Sequence, residues 1–115
     1  MSNSPLELAV RYMDIFFSGE NLSELGHVLA PDLSFTGPFY AFHSAEDYIA
    51  SLEADPPVGC AYELVGSFES ESAACLVFRF TKPGISATMA QLFEVEGGRI
   101  RKIHLVFDTA PFEIA

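Results

Sequence analysis

The chain has 115 residues, with 16 acidic against 6 basic side chains and a formal charge of −10. That length fits a single domain spanning residues 1–115, large enough to bury a core without help from a disulfide or a metal. The acidic balance excludes nucleic acid and anionic membranes as partners, since both demand a basic surface. Half the residues are apolar, yet no apolar run approaches the ~20 residues of a membrane span. Met1 to Leu8 lacks the basic and long apolar stretches of a signal peptide, and two cysteines make no disulfide framework, so the expected setting is cytoplasmic.

The first half reads as helical. Ser4-Pro5-Leu6-Glu7 is a capping box with proline at the first helical position. The helix runs to about Ser18 and stops at Gly19, with Leu8, Tyr12, Ile15 and Phe16 recurring at helical spacing. A second, short helix is expected from Asn21, capped by the Asn21–Glu24 pair, carrying Leu22, Leu25, Val28 and Leu29 and ending before Pro31. Leu33 to Thr36 alternates like a strand and is stopped by Gly37-Pro38. A third helix starts at Ser44, carries Tyr48, Ile49 and Leu52, and ends before Pro56-Pro57.

The second half reads as four strands joined by turns: Cys60 to Phe68, Cys75 to Thr81, Ser86 to Glu96 and Arg99 to Asp108. Helices followed by an antiparallel meander is the α+β pattern, with helices packed on one sheet face. Alternation puts Tyr62, Leu64, Phe68, Leu76, Phe78, Phe80, Met89, Gln91, Phe93, Val95, Ile103, Leu105 and Phe107 on the helix side. The outer side collects Glu63, Val65, Cys75, Val77, Arg79, Ala90, Leu92, Glu94, His104 and Val106. It is half apolar, more than a face meeting only water needs, and a homodimer through it is the simplest expectation. If Leu64 faces Phe78, Glu63 faces Arg79 across the outer side.

In order and spacing, Ala9-Val10-Arg11-Tyr12, Gly19-Glu20-Asn21, Leu29 through Pro38, Ser44-Ala45-Glu46-Asp47-Tyr48-Ile49 and Phe93 through Ile100 resemble the nuclear transport factor 2-like superfamily, in its SnoaL-like and ketosteroid isomerase-like branches. The resemblance implies a cone, a curved sheet wrapped around three helices, with a pocket between sheet and helices and dimers through the outer face. On the face assignment above, that pocket would be lined by Tyr12, Phe16, Phe35, Tyr62, Phe78, Met89, Gln91, Phe93, Leu105 and Phe107.

The same resemblance tests the chemistry position by position. Ketosteroid isomerases carry an aspartate base just before the proline after the first strand, where this chain has Gly37. Their oxyanion-stabilising tyrosine is matched by Tyr12, and their second donor, a protonated aspartate, by Gln91. A carboxamide donates a hydrogen bond at neutral pH without any pKa shift, so Gln91 keeps the ability to polarise a carbonyl. The aspartate of SnoaL-like cyclases is matched by Leu105. The pocket is thus expected without the family's known acid–base equipment.

His43 reads as an acid–base group or as a loop histidine at the third helix, and Asp108 as a base at the pocket mouth or as a turn carboxylate. His104 falls on the outer face, and no His/Cys spacing suits a metal; no cofactor is indicated, because Gly97-Gly98 is a hairpin turn and not a phosphate cradle. Two functions follow. One is a module binding a small lipophilic molecule, with Tyr12 and Gln91 fixing its polar end. The other is a cofactor-independent isomerase, cyclase or hydratase acting on a carbonyl or hydroxyl compound, with His43 or Asp108 as base. A third possibility is an interior filled by the chain's own phenylalanines, 11 in all.

Overall fold

The computed structural model describes residues 4–112. Helix α1 (Pro5–Ser18) begins at the Ser4 capping box and ends on Gly19 in the left-handed conformation, φ 69°. Its inward stripe buries Leu8, Ala9, Tyr12 and Met13. A 3-10 helix (Leu22–His27) leads directly into strand β1 (Leu29–Thr36), followed by a two-residue strand β2 (Ala41–Phe42). Helix α2 (Ala45–Ala54) is capped by the Ser44 hydroxyl, which accepts from the Asp47 N–H. Strands β3 (Ala61–Glu69), β4 (Ala73–Lys82), β5 (Ile85–Glu96) and β6 (Arg99–Phe107) follow, and a 3-10 turn (Ala110–Phe112) closes the described chain.

The six strands form one sheet in the order β2-β1-β6-β5-β4-β3. The sheet curves around α1, α2 and the 3-10 helix as an α+β cone. Its meander β3 to β6 is antiparallel, but β1 joins β6 in parallel, so the sheet is mixed. The parallel ladder runs from Leu29↔Ile100 to Ser34↔Lys102 with an irregularity between. Pro31 falls in that gap, where its missing N–H does no harm.

The second helix differs from the sequence expectation. It is a 3-10 segment that stops at His27, and Leu29 to Asp32 belong to β1 instead. Asn21 is left-handed, φ 51°, and its side chain makes no capping bond. The Val28 carbonyl instead accepts from the Ile100 N–H at 2.8 Å, which draws the chain into the sheet early.

Leu64 faces Phe78 and Glu63 faces Arg79 across β3 and β4, with Glu63 and Arg79 side chains 3.7 Å apart. Two residues further on, the register slips at Val65, so Gly66 opposes Val77 and Phe68 opposes Cys75. A bulge reverses side-chain parity beyond it. Phe68 therefore lies on the outer face, 63% exposed, and not on the helix side. A second slip, between β5 and β6, leaves Arg101 without a Cα partner and turns Ile100 fully inward.

Candidate functional site

A cavity of about 650 Å³ opens between the sheet, α1, α2 and the β1–β2 hairpin. Its wall is apolar and rich in aromatic rings: the inward positions of β1, β4, β5 and β6 carry Phe35, Phe78, Met89 and Leu105 while α1 adds Phe16 and Phe17. At its inner end stand three polar groups. Tyr12 comes from the stripe of α1, Tyr48 from α2, and Gln91 from β5, each almost wholly buried.

The Tyr12 and Tyr48 hydroxyls are hydrogen-bonded to each other. Burial pushes the Tyr12 phenol up to about 12, held back from rising further by hydrogen bonding from Tyr48 and Gln91. Burial also raises the Tyr48 phenol well above its ordinary value, reinforced by the neighbouring Tyr12. Either hydroxyl can donate to the other. The Gln91 carboxamide acts on the Tyr12 hydroxyl, so two neutral donors converge on one place. All three groups stay uncharged at neutral pH, as burial in an apolar wall requires.

Of the residues expected to line the pocket, Tyr12, Phe16, Phe35, Phe78, Met89, Gln91, Leu105 and Phe107 border this cavity. Tyr62 and Phe93 do not. Tyr62 packs on Phe17 at 4.8 Å and its hydroxyl donates to Asp14 at 3.1 Å, outside the cavity. Phe93 is fully buried behind Tyr12, edge-on at 5.4 Å. His43 is exposed beside the cap of α2, off the cavity wall. Asp108 is exposed as well, and its carboxylate accepts from the Ala110 N–H at 3.0 Å to start the last 3-10 turn. It therefore acts as a turn carboxylate. His104 sits on the outer face opposite Leu92.

Gly37 borders the cavity where the isomerase-like base was expected. A Cβ added there would meet the Phe35 ring at 3.4 Å and Leu105 at 3.7 Å, ordinary contacts, and its φ is not in the positive range. The position admits a side chain that this sequence does not supply. Among the described residues, no group of three or more His, Cys, Asp or Glu is placed to hold a metal ion.

Sequence reasoning missed Tyr48, which lies 36 positions from Tyr12. Its place on the α2 stripe marked it as inward, but nothing local tells which hydroxyl it meets. It also missed the mouth, formed by Phe39, Tyr40, Asp55, Cys60, Lys82 and Phe112. Phe39 packs on Phe107 and Phe112 there, at 5.5 and 6.0 Å.

A family model described as SnoaL-like domain matches residues 9–103. No curated protein matches the chain. Among solved structures, a nuclear transport factor 2-like protein of unknown function from Cytophaga hutchinsonii is 22% identical, with a TM-score of 0.83 over 98% of both chains. A proposed ketosteroid isomerase from Kribbella flavida is 18% identical, TM-score 0.80, over 100% of this chain and 86% of that one. A proposed SnoaL-like polyketide cyclase from Jannaschia is 14% identical, TM-score 0.79, over 99% and 95%. At these identities the likeness is one of fold.

Proposed function

Because the chain belongs to the SnoaL-like domain family, we propose that it is a small-molecule-binding member, taking up a small lipophilic molecule whose carbonyl or hydroxyl oxygen meets Tyr12 and Gln91. The observation that carries this reading is the pair of uncharged donors at the inner end of a 650 Å³ aromatic cavity. Apolar walls with a few convergent polar groups are what small-molecule sites require. The walls exclude water and reward burial of rings, at roughly 25 cal/mol per Å². The donors select an acceptor oxygen, because an apolar tip would leave them unpaired.

The test is binding of 6-propionyl-2-dimethylaminonaphthalene, a fluorescent naphthyl ketone. Its emission shifts to the blue on entering an apolar site. Tyr12→Phe and Gln91→Leu are each expected to weaken binding about five- to ten-fold, the worth of one buried donor. Unchanged affinity in both variants would sink the reading.

A second reading, a cofactor-independent isomerase, cyclase or hydratase, is favoured by the same donor pair, which is suited to an enolate oxygen. It needs a base within reach, and His43 and Asp108 lie off the cavity wall. Exchange of the ketone's α-hydrogens in D₂O separates the two. For a binding protein the rate stays at the buffer value, whereas exchange above it favours the enzyme. Gly37→Asp, which puts a carboxylate on the cavity border at a position that admits a Cβ, is expected to raise it.

We also infer a homodimer through the outer face, supported by exposed Val65, Phe68, Leu92 and Val106 on that side. A cytoplasmic setting agrees with two free thiols, Cys60 and Cys75. Light scattering after gel filtration tests the dimer, which Leu92→Glu is expected to break into monomers.

A further inference from the structure

The inner end of the cavity is neutral, but its mouth is not. Two charged side chains border it, Asp55 and Lys82. Asp55 is the C-cap of α2. Lys82 ends β4, and its ammonium sits over the Phe112 ring, 5.8 Å from the centroid. That ring is itself fixed against Phe107 at 5.0 Å and Phe80 at 6.1 Å. Among the described residues, no ion pair joins Asp55 and Lys82.

The two charges are not equivalent. Asp55 stands at the C-terminus of a helix, where exposed carbonyls already favour cations and repel anions. Lys82 is exposed and its ammonium lies over the aromatic wall, 5.8 Å from the Phe112 centroid, within reach of a cation–π contact. The cations Arg79, Arg101 and Lys102 instead meet carboxylates away from the cavity. On a chain of charge −10, Lys82 is the cation of the cavity wall among the described residues.

We propose that the mouth is an anion subsite: the ligand carries, at the end opposite its acceptor oxygen, a carboxylate or similar oxyacid group that pairs with Lys82 and is turned away from Asp55. This rests on the small-molecule reading above and adds the charge of the ligand's outer end. Such a molecule enters ring first, leaves its anion at the water boundary, and so never requires desolvation of a full charge.

The experiment compares two fluorescent probes with one skeleton: 1-anilinonaphthalene-8-sulfonate and its neutral counterpart N-phenyl-1-naphthylamine. The wild-type chain is expected to bind the sulfonate more tightly. Lys82→Met is expected to weaken the sulfonate about five-fold, the size of a partly exposed ion pair, while the neutral probe moves less than about two-fold. Lys82→Arg restores the sulfonate preference, and Asp55→Asn increases it. Leu105→Trp, which puts an indole on the cavity wall, is expected to weaken binding of both probes. If Lys82→Met moves both probes alike or neither, the anion subsite is wrong and the cavity reading survives. If neither probe binds, or both bind Leu105→Trp as well as the wild type, the subsite and the cavity reading fall together. Thermal melts of each variant show that the fold is intact, which is expected because both rim side chains are exposed.

Discussion

Two halves of the interior use the same helices and the same sheet but fill space differently. In one, Leu25, Val28, Leu29, Leu33, Leu76, Ile100 and Ile103 interlock, none more than 1% exposed. In the other, rings of Phe16, Phe35, Phe78 and Phe107 stand around a 650 Å³ void. Branched aliphatic chains from a 3-10 helix and three strands can mesh to native density. Flat rings leaning on one another, as Phe35 does on Tyr48 at 4.7 Å and on Phe42 at 6.1 Å, make rigid walls without closing the middle. The difference teaches that many phenylalanines need not fill a core; nine of the eleven line the open half instead.

The sharpest way to break this contrast is Phe93→Ala. Phe93 is fully buried behind Tyr12, and its truncation is expected to cost about 3–5 kcal/mol in urea denaturation. A loss below ~1.5 kcal/mol would mean that the closed half is not closed.

High pH probes the boundary between the halves. Tyr12, raised to about 12, and Tyr48, raised well above 10, stay protonated in the folded chain where the unfolded chain ionises near 10. Their contribution is fully present below pH 10 and is lost as pH rises through about 12. We expect a fall on the order of 1–3 kcal/mol over that window, read by denaturation at pH 9, 10 and 11. Tyr12→Phe should flatten the slope. A slope unchanged in Tyr12→Phe would place the tyrosines in a wetter site than described.

Leu105→Ala is the matched truncation on the open side. Its side chain borders existing space, so the expected loss is about 1 kcal/mol, the transfer cost without much new cavity. A cost equal to that of Phe93→Ala would erase the distinction. Smallest is Arg79→Ala on the outer face, whose partner Glu63 is 3.7 Å away with both side chains largely exposed. Thermal melting should detect less than about 0.5 kcal/mol.

Much of the frame was legible in the residues. The Ser4 box, Gly19, the Ser44 cap and the alternation of β4 and β5 are local signals, and each is where the pattern put it. What escaped was non-local or off-period. Val65 adds one residue to β3 and sends Phe68 to the wrong face for simple alternation. Nothing in Leu29 to Asp32 announces a parallel partner seventy residues on, and proline argued against a strand at all. The site divides the same way. Tyr12 and Gln91 were readable from stripe and parity. Tyr48 needed the helix packing, and the mouth needed four separate loops to converge.

The bond between the two phenols has a kinetic consequence. A lone buried hydroxyl is a rotor, and a guest must stop it on arrival. Here the two hydroxyls already hold each other, so that part of the ordering entropy is settled when the chain folds and not at each encounter. Guests should dock without waiting for the donor to find its angle, and their lifetimes should be governed by how the rings part to let them out.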